Sequence, residues 1–234
     1  MLGAALLADP VILGEVPTIE RPIIRLLQPG DMAAAAAISE QAFKNEAFAS
    51  RMFRLSSPKA RAAFRAVLEL RFLSYWAAGH PIQGLFVDQD LAAVALYKGP
   101  QGKLPILFGL RQFVVRLFRI APLVWYLRYG TLANLLHMSE MPSAVPTPNL
   151  LLEMLGVAPR HQGQGLGSLL VQAGQQLAVT MDVRGIYLYT GDAANVRLYR
   201  RLGYSTVAQL QRGDFTVYHM FWARDASSGA NGGE

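Results

Sequence analysis

The sequence predicts an α/β fold, because runs with the pattern of buried strands alternate with runs typical of helices. Leu150–Val157 is apolar enough for a buried strand, and a proline-containing turn and a glycine-rich loop separate it from a helix. Residues 186–190 form a second apolar run, again followed by a short helical pattern. With 52% hydrophobic and 16% charged residues, the 234-residue chain is expected to be globular, with residues 1–225 forming a single domain.

Turn residues and helix caps place the other elements. Asp31 is a plausible N-cap for one helix, and Ser57-Pro58 is a start signal for another. A turn at Gln89-Asp90 predicts a hairpin. Strands are predicted at 22–27, 84–88, 91–97, 206–210 and 215–222, and helices at about 31–44 and 58–78. The Ser-, Gly- and Asn-rich residues 226–234 are predicted to be disordered.

The glycine-rich loop carries most of the functional information. It consists of Gln162, Gly163, Gln164, Gly165, Leu166 and Gly167, with Ser168 next. Glycines at alternate positions let backbone N–H groups approach a ligand, and the following helix presents its free N–H groups at the same point. This arrangement predicts an anion site suited to a pyrophosphate. The alternative is a helix N-terminus that binds no ligand.

Two common nucleotide motifs are excluded by the spacing of this loop. The dinucleotide fingerprint requires a third glycine where Ser168 stands. The P-loop requires a lysine followed by serine or threonine, and no lysine lies near this loop.

Amino-acid composition excludes several kinds of functional site and ligand. The absence of cysteine excludes disulfides, thiolate metal sites and a cysteine nucleophile, and it fits a cytoplasmic protein. His80, His137 and His219 lack metal-ligand spacing, so no metal is expected. The net charge of +6 favours either solubility alone or attraction of a polyanionic ligand. Scattered arginines and the lack of a stacking module or zinc finger argue against nucleic acid.

The N-terminus and the apolar segments predict neither a signal peptide nor a membrane span. Residues 1–8 are apolar but lack a basic region, and no segment reaches about 18 uncharged apolar residues. Stable membrane insertion is therefore not expected.

Through the residues of two motifs, the chain resembles the GCN5-related N-acetyltransferase (GNAT) family. The family's Q/R-x-x-G-x-G/A motif matches Gln162, Gly165 and Gly167. Its N-x-x-x-Y-x-x-x-G-F/Y signature matches a second set: Asn195, Tyr199, Gly203 and Tyr204. The order and the distance between the two motifs are also those of the family. The resemblance is sharp over residues 150–207 and looser over 23–97. It implies a mixed, mostly antiparallel sheet flanked by helices, and acetyl-CoA as the acyl donor.

The residues in and around both motifs resemble most closely those of the puromycin N-acetyltransferase-like branch of the family. That branch commonly has Leu-Glu-Thr on the fifth strand, whereas this chain has Leu188-Tyr189-Thr190. The missing strand-five glutamate leaves Glu153 as the nearer acidic candidate. The missing glutamate also argues against puromycin as the acceptor substrate of this chain.

The resemblance assigns roles to the end of the fourth strand and to the second motif. In the family the fourth and fifth strands splay apart, and the donor's pantetheine arm pairs with the exposed edge, here near Leu155, Gly156 and Val157. An N–H near Val157 would polarise the thioester carbonyl. Asn195 would hydrogen-bond the pantetheine or a water, or else cap a helix. Tyr199 would act as general acid toward the leaving thiolate, or else pack as a core-edge tyrosine.

Glu153 is the candidate base. It is the only ionisable residue in the apolar run Leu150–Val157, and a carboxylate in such a strand is costly unless it is partnered or functional. Strand alternation puts residues 153, 155 and 157 on one face. The alternative is a structural ion pair with an arginine of the segment 99–148. Next to the loop, Arg160 could meet a phosphate or be solvated, and His161 is expected to be exposed.

The segment 99–148 separates the third and fourth predicted strands. Its apolar part, interrupted by regularly spaced arginines, predicts two or three helices with one polar face. The puromycin N-acetyltransferase-like branch also carries a helical insertion here. The segment could wall the acceptor pocket, serve plain packing or a dimer contact, or lie on a membrane surface.

The sequence therefore predicts an enzyme that transfers an acetyl group from acetyl-CoA to a primary amine of a small molecule by direct attack. Two alternatives stay open: acetylation of a protein N-terminus or lysine, and a non-catalytic acyl-CoA-binding module that contacts a partner or membrane. The apolar insertion and the last strand make a homodimer plausible.

Overall fold

A computed structural model describes residues 22–44, 46–103, 106–130 and 137–224. In these ranges the chain forms one seven-stranded sheet in the order β1-β2-β3-β4-β5-β7-β6. Its strands are β1 (Ile23–Leu26), β2 (Ile82–Val87), β3 (Asp90–Lys98), β4 (Leu150–Val157), β5 (Gly185–Thr190), β6 (Ser205–Arg212) and β7 (Phe215–Ala223). Neighbouring strands are antiparallel except β4 and β5, which are parallel. The α/β class is therefore confirmed.

Helices cover both faces of this sheet. They are α1 (Met32–Phe43), α2 (Ala47–Met52), α3 (Pro58–Ala77), α4 (Ile106–Ile120), α5 (Leu166–Thr180) and α6 (Ala193–Arg201). On one face, α1 and α3 pack over Val94 and Leu96 of β3. On the other, α5 packs over Ala95 and Tyr97, which alternate with the first pair along the strand. The sheet therefore separates two hydrophobic cores.

Both α1 and α3 begin at the predicted positions, but only α3 has the predicted side-chain cap. The Ser57 hydroxyl accepts a hydrogen bond from the Ala60 N–H at 3.1 Å, and Pro58 occupies the first turn. Asp31 precedes α1 but makes no side-chain cap for it. Its carboxylate instead accepts the Gln28 N–H at 2.8 Å and pairs with Arg25 at 2.8 Å. The ion pair to β1 takes the place of the expected cap.

The turn between β2 and β3 lies one residue earlier than predicted. Asp88 and Gln89 both have positive φ, of 50° and 67°, and β3 already begins at Asp90. Two successive left-handed residues are what a tight hairpin turn requires. The predicted hairpin is present with this shift.

The segment 99–148 contains α4 and a 3₁₀ helix at Ala121–Tyr126 among its described residues. Helix α4 packs against α3, and Arg116 pairs with Glu69 of α3 at 2.8 Å. The helical character of the insertion is confirmed for this part, while residues 131–136 lie outside the described ranges. The predicted disordered tail, 226–234, also lies outside them. Within the described ranges, no helix is long and apolar enough to span a bilayer.

A small aromatic cluster joins β5 and β7. His219 is fully buried, and its Nδ1 lies 2.6 Å from the Tyr187 hydroxyl. Its ring also lies 6.3 Å from that of Tyr189. Burial lowers the pKa of His219, while the backbone of Met138 acts in the opposite direction. The folded protein therefore holds this imidazole neutral more strongly than the unfolded chain does.

This burial predicts acid sensitivity. The unfolded chain protonates His219 near its ordinary pKa of 6.5, whereas the folded protein resists, so the stabilising contribution is complete above pH 6.5 and lost as the pH falls. Between pH of about 7 and about 5, His219→Gln should lose less unfolding free energy than the wild type in urea titrations. His137→Gln, at a side chain that is 72% exposed, is the control. An identical pH dependence of His219→Gln and wild type would contradict this account.

Candidate active site

The parallel pair β4–β5 opens after its first two positions. Leu150 pairs with Ile186 and Leu151 with Tyr187. β4 then continues to Val157 while it stays paired with β3 on its other side. Among the described residues, no strand pairs with the β5-facing edge of β4 beyond Leu151. Backbone groups on this edge are therefore available to a ligand.

The hydrogen-bond pattern identifies which N–H groups point into this opening. Ala158 N–H donates to the Ala92 carbonyl of the neighbouring strand at 2.8 Å. In an antiparallel ladder, successive N–H groups of a strand point alternately toward its two neighbouring strands. Gly156 therefore bonds to β3, whereas the N–H groups of Val157 and Leu155 point toward β5. Of the three predicted residues, Leu155 and Val157 therefore direct their N–H groups into the opening, whereas the prediction for Gly156 was wrong, because its N–H is used by β3.

The glycine loop follows directly. Gly163 and Gly165 have φ of +78° and +79°, and a Cβ at either would meet nothing within 4 Å. These glycines are required by backbone conformation rather than by contact with protein, and the space beside them is free. Leu166, Gly167 and Ser168 form the first turn of α5, whose N–H groups lack helical acceptors. The loop therefore has the open backbone that an anion requires.

Side chains around the loop tie it to the sheet. The Gln162 amide donates to the Val157 carbonyl at 3.1 Å, and the Gln164 amide to the Arg160 carbonyl at 3.3 Å. Arg160 itself pairs with Asp90, at the start of β3, at 2.8 Å. Both side chains are exposed, so Arg160 is a solvated residue with an ion-pair partner. Contact of Arg160 with a phosphate stays a prediction.

Glu153 lies in a β-bulge. The β3–β4 register shifts so that Leu96 faces Met154 and Tyr97 faces Leu152, which leaves Glu153 as the extra residue. Its side chain reaches α3, on the face opposite Leu155 and Val157, which pack with the α5 core. The prediction that residues 153, 155 and 157 share a face was wrong, because the bulge breaks the alternation.

The Glu153 carboxylate is held by two residues of α3. It pairs with Arg71 through one oxygen and accepts a hydrogen bond from the Tyr75 hydroxyl at 2.6 Å through the other. Burial, and then the bond to Glu153, raises the pKa of Tyr75 to about 12. The expected ion pair exists, but its arginine comes from α3 and not from the segment 99–148. Neither Arg71 nor Tyr75 was predicted, although their spacing of four residues puts both on one helix face.

The Asn195 side chain is tied to the end of β5. Its amide donates to the Thr190 hydroxyl at 3.4 Å, and that hydroxyl also accepts the Asp192 N–H at 3.2 Å. Asp192 caps α6 by accepting the Ala194 N–H at 2.7 Å. The helix-cap alternative for Asn195 was therefore wrong, because Asp192 fills that position three residues earlier.

Tyr199 is buried in the α5–α6 core, with its ring 5.5 Å from that of Tyr204. Burial, and then the negative charge of Glu46, raises the pKa of Tyr199 above its ordinary value. Glu46 lies just before α2 and lines the cavity on the other face of the sheet. The phenol is protonated at neutral pH and can donate a proton.

A cavity of about 220 Å³ lies on the α3 face of the opening. Its walls are mainly apolar and include Phe43, Phe53, Phe64 and Met154. Four polar residues also line it, namely Glu46, Arg71, Glu153 and Tyr189. An apolar cavity with a few convergent polar groups is the usual form of a small-molecule site.

Residues of the insertion do not line this cavity in the described part of the chain. The insertion instead packs behind it, where Leu127 bridges to Phe53. Glu46 and Tyr189 belong to the site although neither was predicted. Tyr189 could have been suspected, because it follows Leu188 at the position where the resembled branch has glutamate. No group of acidic residues and histidines in the described ranges could hold a metal.

Comparison with known proteins gives a family match and a shared fold. The sequence model of the Acetyltransferase (GNAT) family matches residues 117–204. That span includes the fourth strand, the glycine loop and both linked motifs. The seven-stranded sheet with its flanking helices is the GNAT fold.

Solved structures with this fold cover most of the chain. One, described as histone acetyltransferase HPA2 and related acetyltransferase from Corynebacterium glutamicum, has a TM-score of 0.61 at 19% identity, covering 88% of this chain and 98% of its own. Ribosomal-protein-alanine N-acetyltransferase from Brucella melitensis gives 0.55 at 15%, covering 86% and 99%. yncA from Salmonella typhimurium, solved with its cofactor acetyl-CoA, gives 0.54 at 16%, covering 88% and 96%. These likenesses show the shared fold, and the family match covers the part of the chain that carries both motifs.

Proposed function

We propose that the chain is a GNAT acetyltransferase that transfers the acetyl group of acetyl-CoA directly to a primary amine of a small molecule. The observation that carries this proposal is the open edge of β4. At its start this edge borders the apolar cavity through Glu153 and Met154. At its end it leads into the glycine loop, which the Gln162 side chain ties to Val157. An acyl donor and an acceptor can therefore meet along one strand.

The donor side fits coenzyme A. The free space beside Gly163 and Gly165, with the N–H groups of the first turn of α5, suits the pyrophosphate. The N–H groups of Leu155 and Val157 suit the pantetheine arm and the thioester carbonyl. Acetyl-CoA supplies the activated acetyl group, and a fixed N–H donor stabilises the oxyanion that develops when an amine attacks it. Asn195, held by Thr190, lies at the same end of β5.

The acceptor side fits a small amine with an apolar body. The cavity of about 220 Å³ is smaller than the roughly 300–1,000 Å³ of typical drug-sized ligand sites. Its aromatic and aliphatic walls favour an apolar substituent, and its two carboxylates favour an ammonium group. Similarity to the puromycin N-acetyltransferase-like branch stays a prediction. Tyr189 lines the cavity where that branch has glutamate, so we expect a different acceptor.

Each side chain then has one task. Glu153, held in place by Arg71, orients the amine and takes its proton as the new C–N bond forms. The C–S bond breaks, and Tyr199 donates its proton to the leaving thiolate. Without cysteine, the chain is compatible with a reducing cytoplasm, where we expect the reaction to occur.

Thiol release from acetyl-CoA over a panel of amines tests the function. The chain has no cysteine, so the protein adds no thiol signal of its own. Release stimulated by particular apolar amines supports the proposal. The Brucella melitensis relative is named as acting on a ribosomal protein, so the panel should include alanine-initiated peptides. If only peptides stimulated thiol release, the acceptor would be a protein and not a small molecule. If acetyl-CoA bound but no thiol were released, the chain would be a non-catalytic acyl-CoA-binding module.

Gly165→Ala should weaken acetyl-CoA binding about tenfold in calorimetry, because an alanine there is strained in the left-handed conformation and the loop must move. Gly213→Ala is the matched control, since Gly213 also has positive φ, of +60°, and open space around it. Both variants should lose similar stability, but only the first should lose affinity. Equal affinity in the two variants would remove the loop from the donor site.

Tyr199→Phe should lower kcat by about 100-fold, which is the usual decrease in rate when a general acid is removed. Acetyl-CoA affinity should change little. Tyr204→Phe is the control, because its hydroxyl is buried and has no hydrogen-bond partner among the described residues. Steady-state kinetics of both variants measure the difference. A kcat of Tyr199→Phe equal to that of the control would exclude the phenol from the reaction.

Glu153→Gln should lower kcat/KM for the amine by about 100-fold and leave acetyl-CoA affinity unchanged. Glu40→Gln is the control for the loss of a buried ion pair, since Glu40 is also buried and pairs with Arg65 at 2.8 Å. If both variants lowered kcat/KM equally, the role of Glu153 would be structural only.

A further inference from the structure

Helix α4 carries its apolar side outward. None of its residues is buried, and Leu107 and Phe118 are 83% and 91% exposed. These two residues, with Leu110 and Val114, follow a helical spacing of three or four and form one stripe, the apolar face of α4. A helix that packs on a globular core normally turns such a stripe inward, so this face has an unusual orientation.

The side of α4 that faces the protein carries Gln112 and Arg116 beside the half-buried Phe108. Arg116 donates to Glu69 of α3 at 2.8 Å and also to Gln112, one turn earlier on α4. Arg119 lies 3.5 Å from the same glutamate. These contacts fix the rotation of α4 about its axis. The outward direction of the apolar face therefore follows from specific ion pairs.

Two large aromatic residues that follow α4 in the sequence are also exposed. Trp125 is 84% exposed, and Tyr129, four residues later, is 61% exposed. Large aromatic side chains with a polar atom are typical of the boundary between lipid and water.

The charged residues of the segment 99–139 itself have one sign, although Glu69 of α3 pairs with Arg116. Between Asp90 and Glu140 the sequence contains no acidic residue. The basic residues of the segment 99–139 are Lys103, Arg111, Arg116, Arg119 and Arg128. Arg111 lies on the exposed side of α4, next to the apolar face. A partner surface that complements this segment must be both apolar and negatively charged.

We propose that the apolar face of α4 docks on the surface of an anionic lipid bilayer, with α4 parallel to the membrane plane. The side chains of the apolar face enter the acyl boundary, and Lys103 and Arg111 meet lipid headgroups. A second copy of the chain is less suitable, since a two-fold contact would bring the same basic face against itself. Binding at the surface does not require a spanning helix, and it is independent of the proposed acetyl transfer.

Co-sedimentation of the full chain with vesicles tests this proposal. Vesicles of equal parts phosphatidylcholine and phosphatidylserine should bind the protein, and phosphatidylcholine alone should bind it less. Added salt should weaken binding to the anionic vesicles, because it screens the basic side chains.

Variants then locate the surface. The double variant Leu107→Gln/Phe118→Gln should lower partitioning by about tenfold or more, through lost apolar burial. Arg111→Gln should lower it about fivefold. Ile23→Gln, at an apolar residue of β1 that is 62% exposed, is the matched control and should bind as the wild type does. Unchanged thermal unfolding in each variant confirms that the fold is retained.

Three results would overturn the proposal. One is no binding of the wild type to the anionic vesicles at low salt. Another is a concentration-dependent dimer in sedimentation equilibrium that the double variant abolishes, which would assign the face to a second copy. Binding equal in the wild type and the double variant would likewise move the membrane contact elsewhere.

Discussion

The limited pairing of β4 with β5 is the constraint on which the site depends. Buried backbone N–H and C=O groups need partners, and a strand interior leaves few of them unpaired. Here β4 bonds to β5 at only two positions and then runs on to Val157 beside β3 alone. The N–H groups of Leu155 and Val157 are thus left for a ligand. The glycine loop, the cavity and the phenol of Tyr199 all lie around this open edge of β4.

The bulge at Glu153 directs neighbouring side chains of β4 to opposite faces of the sheet. It sends the carboxylate toward Arg71 and Tyr75 on α3, while Leu155 and Val157 pack toward α5. Glu153 is the kind of buried charge that requires a partner, and removing Arg71 would leave it uncompensated. The cavity therefore lies on the α3 face, and the glycine loop leads into α5 on the other face. Burial, and then the charge of Glu46, raises the pKa of Tyr199.

Much of this arrangement can be predicted from the sequence. The bounds of β4 and the glycine loop follow from local composition and spacing, because strand hydrophobicity and left-handed glycines are local properties. The motif around Tyr199 was found through the resemblance to the GNAT family. The bulge does not follow, because it depends on the register with β3. Arg71 and Glu46 were missed for a similar reason, since both reach the site only through packing of α1–α3. The orientation of α4 depends on its ion pairs with Glu69, a contact between residues distant in sequence.

The most direct test of the open-edge account is amide hydrogen exchange at single-residue resolution in β4, with and without saturating acetyl-CoA. The N–H groups of Leu155 and Val157 should exchange rapidly in the free protein and slow markedly when acetyl-CoA is bound. Gly156, already bonded to β3, should be protected in both states and serves as the internal reference. If acetyl-CoA binds but leaves exchange at Leu155 and Val157 unchanged, the donor does not use this edge, and the account is contradicted.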